Sequence, residues 1–319
     1  MRACLRLTIA IAMMFAVSLQ AQTFPSKPLR IIVPFAAGGA ADLTSRMLGE
    51  HLSKALGQPV LVDNRPGAGA VIGYELGAKS PPDGHTLLIV YPSFVINPSI
   101  RRVQYDPIKD LRAVTQIGSL PMTIAVHPSL PVKTMKELVA LARSKPGEIS
   151  YGTPGVGTIQ HVIGELFQAT TGAKMVHVPY SGLALALPAL VGGHIMTVVG
   201  NVFEVSPFVK GGKVRTIVVS TSSRSELLPD VPTMREAGFP ELEATNWAGY
   251  VVPAATPQAT VARLNTELVR ILRLPEIQEK FRVQGQSSVP STPEQFAALL
   301  QSESVRYSKV VRQAGIKAE

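Results

Sequence analysis

Apolar positions along this chain follow two rhythms. Short, nearly continuous apolar runs, such as Leu29-Arg30-Ile31-Ile32-Val33 and Thr86-Leu87-Leu88-Ile89-Val90, have the pattern of strands buried on both faces of a parallel sheet. Between such runs the period lengthens. Leu43, Met47, Leu48, Leu52 and Leu56 recur at helical spacing and stop at Gly57, a suitable residue to follow a helix. Residues 59–63 read as the next strand, followed by a glycine-rich loop and a helix to about Lys79. The segments 111–118 and 122–127 are both extended and are separated by Leu120-Pro121, as expected of a strand that leaves one sheet and enters another. Thr134 with Glu137 predicts a capping box for the following helix.

The alternation continues beyond. Strands are expected at 149–151, 176–180, 195–199 and 214–220, with helices through Ile163, Leu166 and Phe167 and through Leu185, Leu187 and Leu190. Pro232-Thr233 with Glu236 predicts a short helix stopping at Gly238, and 247–253 reads as a second crossing. Thr256-Pro257 and Thr292-Pro293-Glu294 begin two long amphipathic helices, the first with Pro257 at its opening position. The expected architecture is α/β with two lobes, each a mostly parallel sheet flanked by helices, and with two crossing segments as hinge. Residues 22–119 form the first part of lobe 1, 120–246 lobe 2, and 247–319 the C-terminal remainder of lobe 1.

Two loops within this pattern carry candidate chemistry. Phe35, Ala36, Ala37, Gly38 and Gly39, with Asp42 just beyond, join the first strand to its helix at the carboxyl edge of the sheet, where open α/β sheets bind ligands. With so little side chain in the way, the N–H groups of the first helical turn are open to a small anion. The second loop, Tyr151-Gly152-Thr153-Pro154-Gly155-Val156-Gly157-Thr158, repeats the arrangement. It satisfies a P-loop pattern only if the lysine is dropped, which removes the charge that engages nucleotide phosphates; an anion cradle of backbone N–H groups remains. His161 lies one helical turn after Thr158 and reads as a hydrogen-bonding helix residue in preference to a catalytic base, since no nucleophile or acid accompanies it. Tyr91, Ser93 and Asn97 reach the same edge as the first loop. Asn97-Pro98 suits a ligand contact or simply a turn. Tyr180 and Asn201, at the ends of two later strands, complete the candidate set with Thr153, Gly155, Gly157 and Thr158. Gly67-x-Gly69-x-x-x-Gly73 approaches a dinucleotide fingerprint, but its last spacing is too long and the expected acid is missing.

Composition narrows the setting. Arg2 and Arg6, an uncharged stretch from 7 to 19 and Ala21 form the three parts of a secretory signal peptide, with cleavage expected near Ala21. The single cysteine, Cys4, falls within that leader, so no disulfide is expected. The formal charge of +9 falls to +7 without Arg2 and Arg6. This favours acidic small molecules, whereas scattered basic residues do not suggest nucleic acid. The six histidines, at 51, 85, 127, 161, 177 and 194, lack metal-ligand spacing. No metal or cofactor is expected.

The chain also resembles a known family, the Bug-type periplasmic solute receptors of tripartite tricarboxylate transporters. The resemblance rests on several segments in order. They are 28–39 with Asp42, Val62-Asp63-Asn64-Arg65-Pro66-Gly67-Ala68-Gly69, Pro81-Pro82-Asp83-Gly84, Tyr105-Asp106-Pro107, 151–158 with His161, His177-Val178-Pro179-Tyr180, 228–233, and Ala237-Gly238. It implies a periplasmic-binding-protein (Venus flytrap) fold that binds a dicarboxylate, tricarboxylate or aromatic acid and delivers it to membrane permease subunits in a transient contact, working as a monomer in the periplasm. It also implies that residues 35–42 and 153–161 grip the ligand carboxylate through backbone groups and bridging waters. The chain departs from the family at Met196 and Gly200, where acids are usual, and at 181–184. Losing those acids makes the cleft less hostile to anions, so a ligand without an amino group is expected. A secreted α/β enzyme is the alternative, and a regulator's effector domain is disfavoured by the leader.

Overall fold

The computed structural model describes residues 24–317, so the signal-peptide reading lies outside the described residues. The strands are β1 (Leu29–Val33), β2 (Val60–Asn64), β3 (Thr86–Val90), β4 (Leu111–Leu120), β5 (Met122–Val126), β6 (Ser150–Thr153), β7 (Val176–Pro179), β8 (Thr197–Asn201), β9 (Arg215–Val219), β10 (Asn246–Pro253) and β11 (Ser287–Ser288). The helices are α1 (Ala40–Leu56), α2 (Val71–Ala78), α3 (Ser93–Ile100), α4 (Met135–Ser144), α5 (Ile159–Thr171), α6 (Leu183–Val191), α7 (Val202–Lys210), α8 (Gln258–Leu272), α9 (Pro275–Val283) and α10 (Pro293–Ala314).

Two sheets result, one ordered β11-β4-β10-β3-β1-β2 and the other β7-β6-β8-β5-β9. Both are mixed, in place of the mostly parallel sheets expected. β1 pairs in parallel with β2 and β3, and β6 with β7 and β8. The strands next to the crossings run the other way: β10 is antiparallel to β3 and β4, and β5 to β8 and β9. The reason is connectivity, because a strand that has just changed sheets arrives from the opposite end. The chain changes sheets beside Pro121, between β4 and β5, and again between Ala244, whose N–H donates to Ser220 O, and Asn246, which pairs with Leu120. The two crossings therefore lie side by side.

The first sheet packs β1, β3 and β10 against α1 and α8 through Leu48, Leu52, Tyr250, Leu264 and Leu268, all fully buried. On its other face, α10 covers β4 and α3 and also touches α5, an element of the second sheet. Trp247 meets Phe296 edge-on there, with ring centroids 5.8 Å apart. Leu183, Leu187, Leu190 and Val205 join α6 and α7 to the second sheet.

Several local readings change. Thr233 and Glu236 make both capping-box hydrogen bonds, at 3.1 and 2.9 Å, but close a turn without an α-helix because the chain reverses at Gly238, whose φ is +91°. Thr256 does not cap α8; Pro257 takes that position, and the buried Thr256 hydroxyl has no partner among the described residues. The helix then breaks between Leu272 and Pro275 into α8 and α9. The short helices α3 and α7 were hidden in the sequence by internal prolines, which remove the bond to the carbonyl four residues back. In α3 the carbonyl freed by Pro98 is that of Phe94, and it accepts the Tyr105 hydroxyl at 2.9 Å. In α7 the Phe203 carbonyl, freed by Pro207, accepts from Ser206 Oγ at 3.4 Å.

Candidate functional site

The turn after β1 is held from outside. Asn64 Nδ2 donates to Phe35 O at 3.1 Å, and the Phe35 ring stands edge-on to Tyr91 at 5.6 Å. Gly38 N–H and the Arg46 guanidinium donate to Asp42 at 3.0 and 3.1 Å. Burial works against the charge of this carboxylate, yet Arg46 and the Gly38 N–H hold its pKa below the ordinary range. Asp42 is thus a brace for its loop, facing Arg46 and not the cleft. Helix α1 begins at Ala40 with Gly39 as its N-cap and no side-chain cap of its own. The missing acceptor comes from the other sheet: Ala40 N–H donates to Glu204 Oε1, in the first turn of α7, at 3.1 Å.

The second loop supplies its own cap. Thr158 Oγ1 accepts from His161 N–H at 3.3 Å and donates to Gly155 O at 2.7 Å. Thr153 Oγ1 sits 2.7 Å from His177 Nε2 and accepts from Gly155 N–H at 3.2 Å. His161 Nδ1 accepts from Gly157 N–H at 3.3 Å, and its ring stacks on His177 at 4.4 Å. Burial, then the neighbouring His177 and Arg101, depress the His161 pKa to about 3. Burial depresses His177 to about 4. Both rings are neutral at ordinary pH and serve as acceptors and spacers.

The two loops face one pocket with about 480 Å³ of empty space, counting its opening to solvent. Phe35, Ala36, Gly39, Tyr91, Ser93, Thr158 and Asn201, all singled out from the sequence, line it. So do Ala40, Ala41, Pro154, Ile159 and Gln160, which fall within the two implied segments, Gly182, Leu183 and Ala184 from the departing segment, and Glu204 and Asn246, which the sequence did not single out. The first turns of α1 and α5 both open here, and the leading N–H groups of a helix have no carbonyl partner within it. A hydrogen-bond chain crosses the floor. Asn201 Oδ1 accepts from Gln160 Nε2 at 3.2 Å and from Asn246 Nδ2 at 2.9 Å, while Asn201 Nδ2 donates to Glu204 Oε2 at 2.6 Å. Burial pushes the Glu204 pKa up, opposed by the Asn201 and Ala40 donors. Burial, with Glu204 nearby, raises Tyr91 well above its usual value.

The remaining candidates fall around this pocket. Ala37 and Gly38 are exposed on the outer side of the turn. Thr153, Gly157 and His161 are buried behind the second loop, as described. Gly155 and Tyr180 line a neighbouring crevice that shares Phe35 and Pro154 with the pocket and also holds Arg101. Arg101 crosses the cleft there, donating to Ala68 O at 3.2 Å and Val156 O at 3.1 Å. Asn97 points away from the pocket; its amide donates to Gly69 O and Ser93 O, both at 2.9 Å. Neither Met196 nor Gly200 lines the pocket. The lining does include one acid, Glu204, which the expectation of a ligand without an amino group did not take into account. Glu204 escaped the sequence reading because Ala40, its partner across the cleft, meets it only through the fold.

Two mixed sheets joined by paired crossings, with a pocket between glycine loops from both, define a two-lobe α/β fold of the periplasmic-binding-protein type. A profile described as the tripartite tricarboxylate transporter family receptor (TctC) matches residues 44–316, and the chain belongs to that family. It is 34% identical to protein BugT of Bordetella pertussis over 305 residues, 95% of this chain and 94% of the relative. Among solved structures it is similar to the periplasmic binding protein BugD, at TM-score 0.89 and 29% identity over 93% of this chain and 100% of the other. It is also similar to R. palustris Rpa4515 with adipate, at TM-score 0.88 and 32% identity over 92% and 99%.

Proposed function

We propose that this chain is an exported receptor that binds a small carboxylate between its lobes and hands it to the permease subunits of a tripartite tricarboxylate transporter. The observation that carries this reading is the pair of helix N-termini, α1 from one sheet and α5 from the other, opening onto a single pocket whose lining contains no lysine, arginine or histidine. Each terminus favours an anion by up to about 2 kcal/mol when partly buried. With several N–H hydrogen bonds and water excluded on closure, a micromolar affinity of about −8 kcal/mol is within reach without a salt bridge. The adipate of Rpa4515 supports the ligand class. The lobes would be the described residues up to about Leu120 together with those from Asn246 onward, and the segment between, hinged at the two adjacent crossings. Phe35, Ala36 and Gly39 would grip from one side and Thr158 and Gln160 from the other, while Asp42, Thr153, Gly155, Gly157 and His161 shape the loops. Export would remove the leader near Ala21 and leave a periplasmic monomer.

Thermal-shift screening of the purified mature protein against aliphatic and aromatic carboxylates tests this. Stabilisation by carboxylates that are recovered unchanged is the expected result. Turnover of a stabilising compound would favour a secreted enzyme instead, and no shift with any carboxylate would contradict the reading.

A further inference from the structure

We propose that Glu204 and Asn246 select carboxylates that carry an additional hydrogen-bond donor, a hydroxyl, amide N–H or ammonium, over plain carboxylates of the same length. This rests on the carboxylate reading above. Asn246 is buried, at 4% exposure, and lines the pocket, yet its Oδ1 meets no donor among the described residues. The orientation of that amide is dictated by its neighbours. Asn201 Nδ2 donates to Glu204, so Asn201 Oδ1 is turned toward Gln160 and Asn246 and takes a donor from each. Rotating the Asn246 amide would set two oxygens against each other, leaving its own oxygen as the free acceptor.

Glu204 adds to the same polarity. Its two carboxylate oxygens each take one donor, Ala40 N–H and Asn201 Nδ2, and a carboxylate has about four acceptor positions. Two therefore remain, and no basic side chain lines the pocket to fill them. The pocket thus presents helix N–H groups to a ligand carboxylate and, beside them, acceptors on Glu204 and Asn246. A buried acceptor is costly to leave unpaired. A site built to meet a donor therefore discriminates strongly against an analogue lacking it. A second ligand carboxylate in the same place would set acceptor against acceptor.

Calorimetric titration at pH 7.5 compares succinate with malate and aspartate, and glutarate with 2-hydroxyglutarate and glutamate for a pocket one carbon longer. At least one donor-bearing member is expected to bind about tenfold tighter than its plain partner or better. That ratio should fall to within about twofold in Glu204→Gln or, if this variant misfolds, in Asn246→Ala. Plain and donor-bearing ligands binding alike, or a ratio unchanged in the variants, would overturn the selection while leaving the carboxylate reading in place. Absence of binding by all six would overturn the selection, and the carboxylate reading falls with it only if the aliphatic and aromatic panel above also fails to stabilise the protein.

Discussion

His161 and His177 show how a residue can be legible in type and obscure in role. The sequence suggested a hydrogen-bonding helix histidine at 161, and the structure gives it the Gly157 N–H as donor and His177 as stacking partner. Their folded pKa values, about 3 and about 4, lie below the ordinary imidazole value of about 6.5. The unfolded chain therefore binds more protons between those limits. The histidine contribution to stability is intact above pH ~6.5 and is lost as pH falls toward ~4. Glu204, raised by burial, works in the opposite direction. Urea midpoints at pH 7.5 and 4.5 should show the loss, and His177→Gln should shrink it; equal midpoints in the parent protein would refute the assignment. Glu204 and Asn246 were illegible for a different reason. Each is an ordinary polar residue with a partner far away in sequence, 164 positions for Glu204 and Ala40 and 45 for Asn246 and Asn201, and no local pattern encodes such a meeting.

Elements were read more completely than residues because caps and apolar periods are local. The box expected at Thr134 forms with Glu137, and Thr292, read only as a helix start, forms one with Gln295. The helices missed, α3 and α7, have proline inside, and their freed carbonyls are satisfied by a tyrosine from a later loop and a neighbouring serine, substitutions that periodicity does not report. Two caps offer a controlled comparison. Thr134→Ala removes the N-cap of α4, far from the pocket, and should cost about 1 kcal/mol of stability with ligand affinity unchanged. Thr158→Ala removes the N-cap of α5 at the pocket wall. It should cost about as much stability and also weaken carboxylate binding by about tenfold, a difference of about 1.4 kcal/mol. Chemical denaturation and titration of both variants check this, and equal affinities would mean that the α5 terminus does not meet the ligand.

At the scale of the whole molecule, Gly69, in the loop after β2, and Gly157, in the second loop, are placed by contacts across the cleft as much as by their own turns. Gly69 and Gly157 have φ of +63° and +86°. A Cβ on Gly69 would overlap the Val156 carbonyl across the cleft, and one on Gly157 would overlap Asn97 Oδ1. Within the spacing that resembled a dinucleotide fingerprint, Gly69 thus marks a close approach between the loop after β2 and the second loop. Gly69→Val should hold the lobes apart without touching the pocket lining. Small-angle scattering would then show no ligand-induced compaction, whereas the parent protein should compact. The two-lobe plan was visible in the sequence because two extended runs, 111–127 broken at Leu120-Pro121 and 247–253, interrupt the alternation, although the second lies wholly in β10 and the chain changes sheet just before it. The antiparallel pairing of β4 with β10 was not, since it depends on how the crossings lie beside each other.

The central claim is that one small carboxylate is held between the α1 and α5 termini. Isothermal titration of the mature protein with adipate and malate, alongside Gly157→Val, tests it most directly. One site per chain with a micromolar Kd, lost in a variant that still melts cooperatively, is the predicted result. Heats at the level of dilution up to millimolar ligand, or full affinity in the variant, would contradict it.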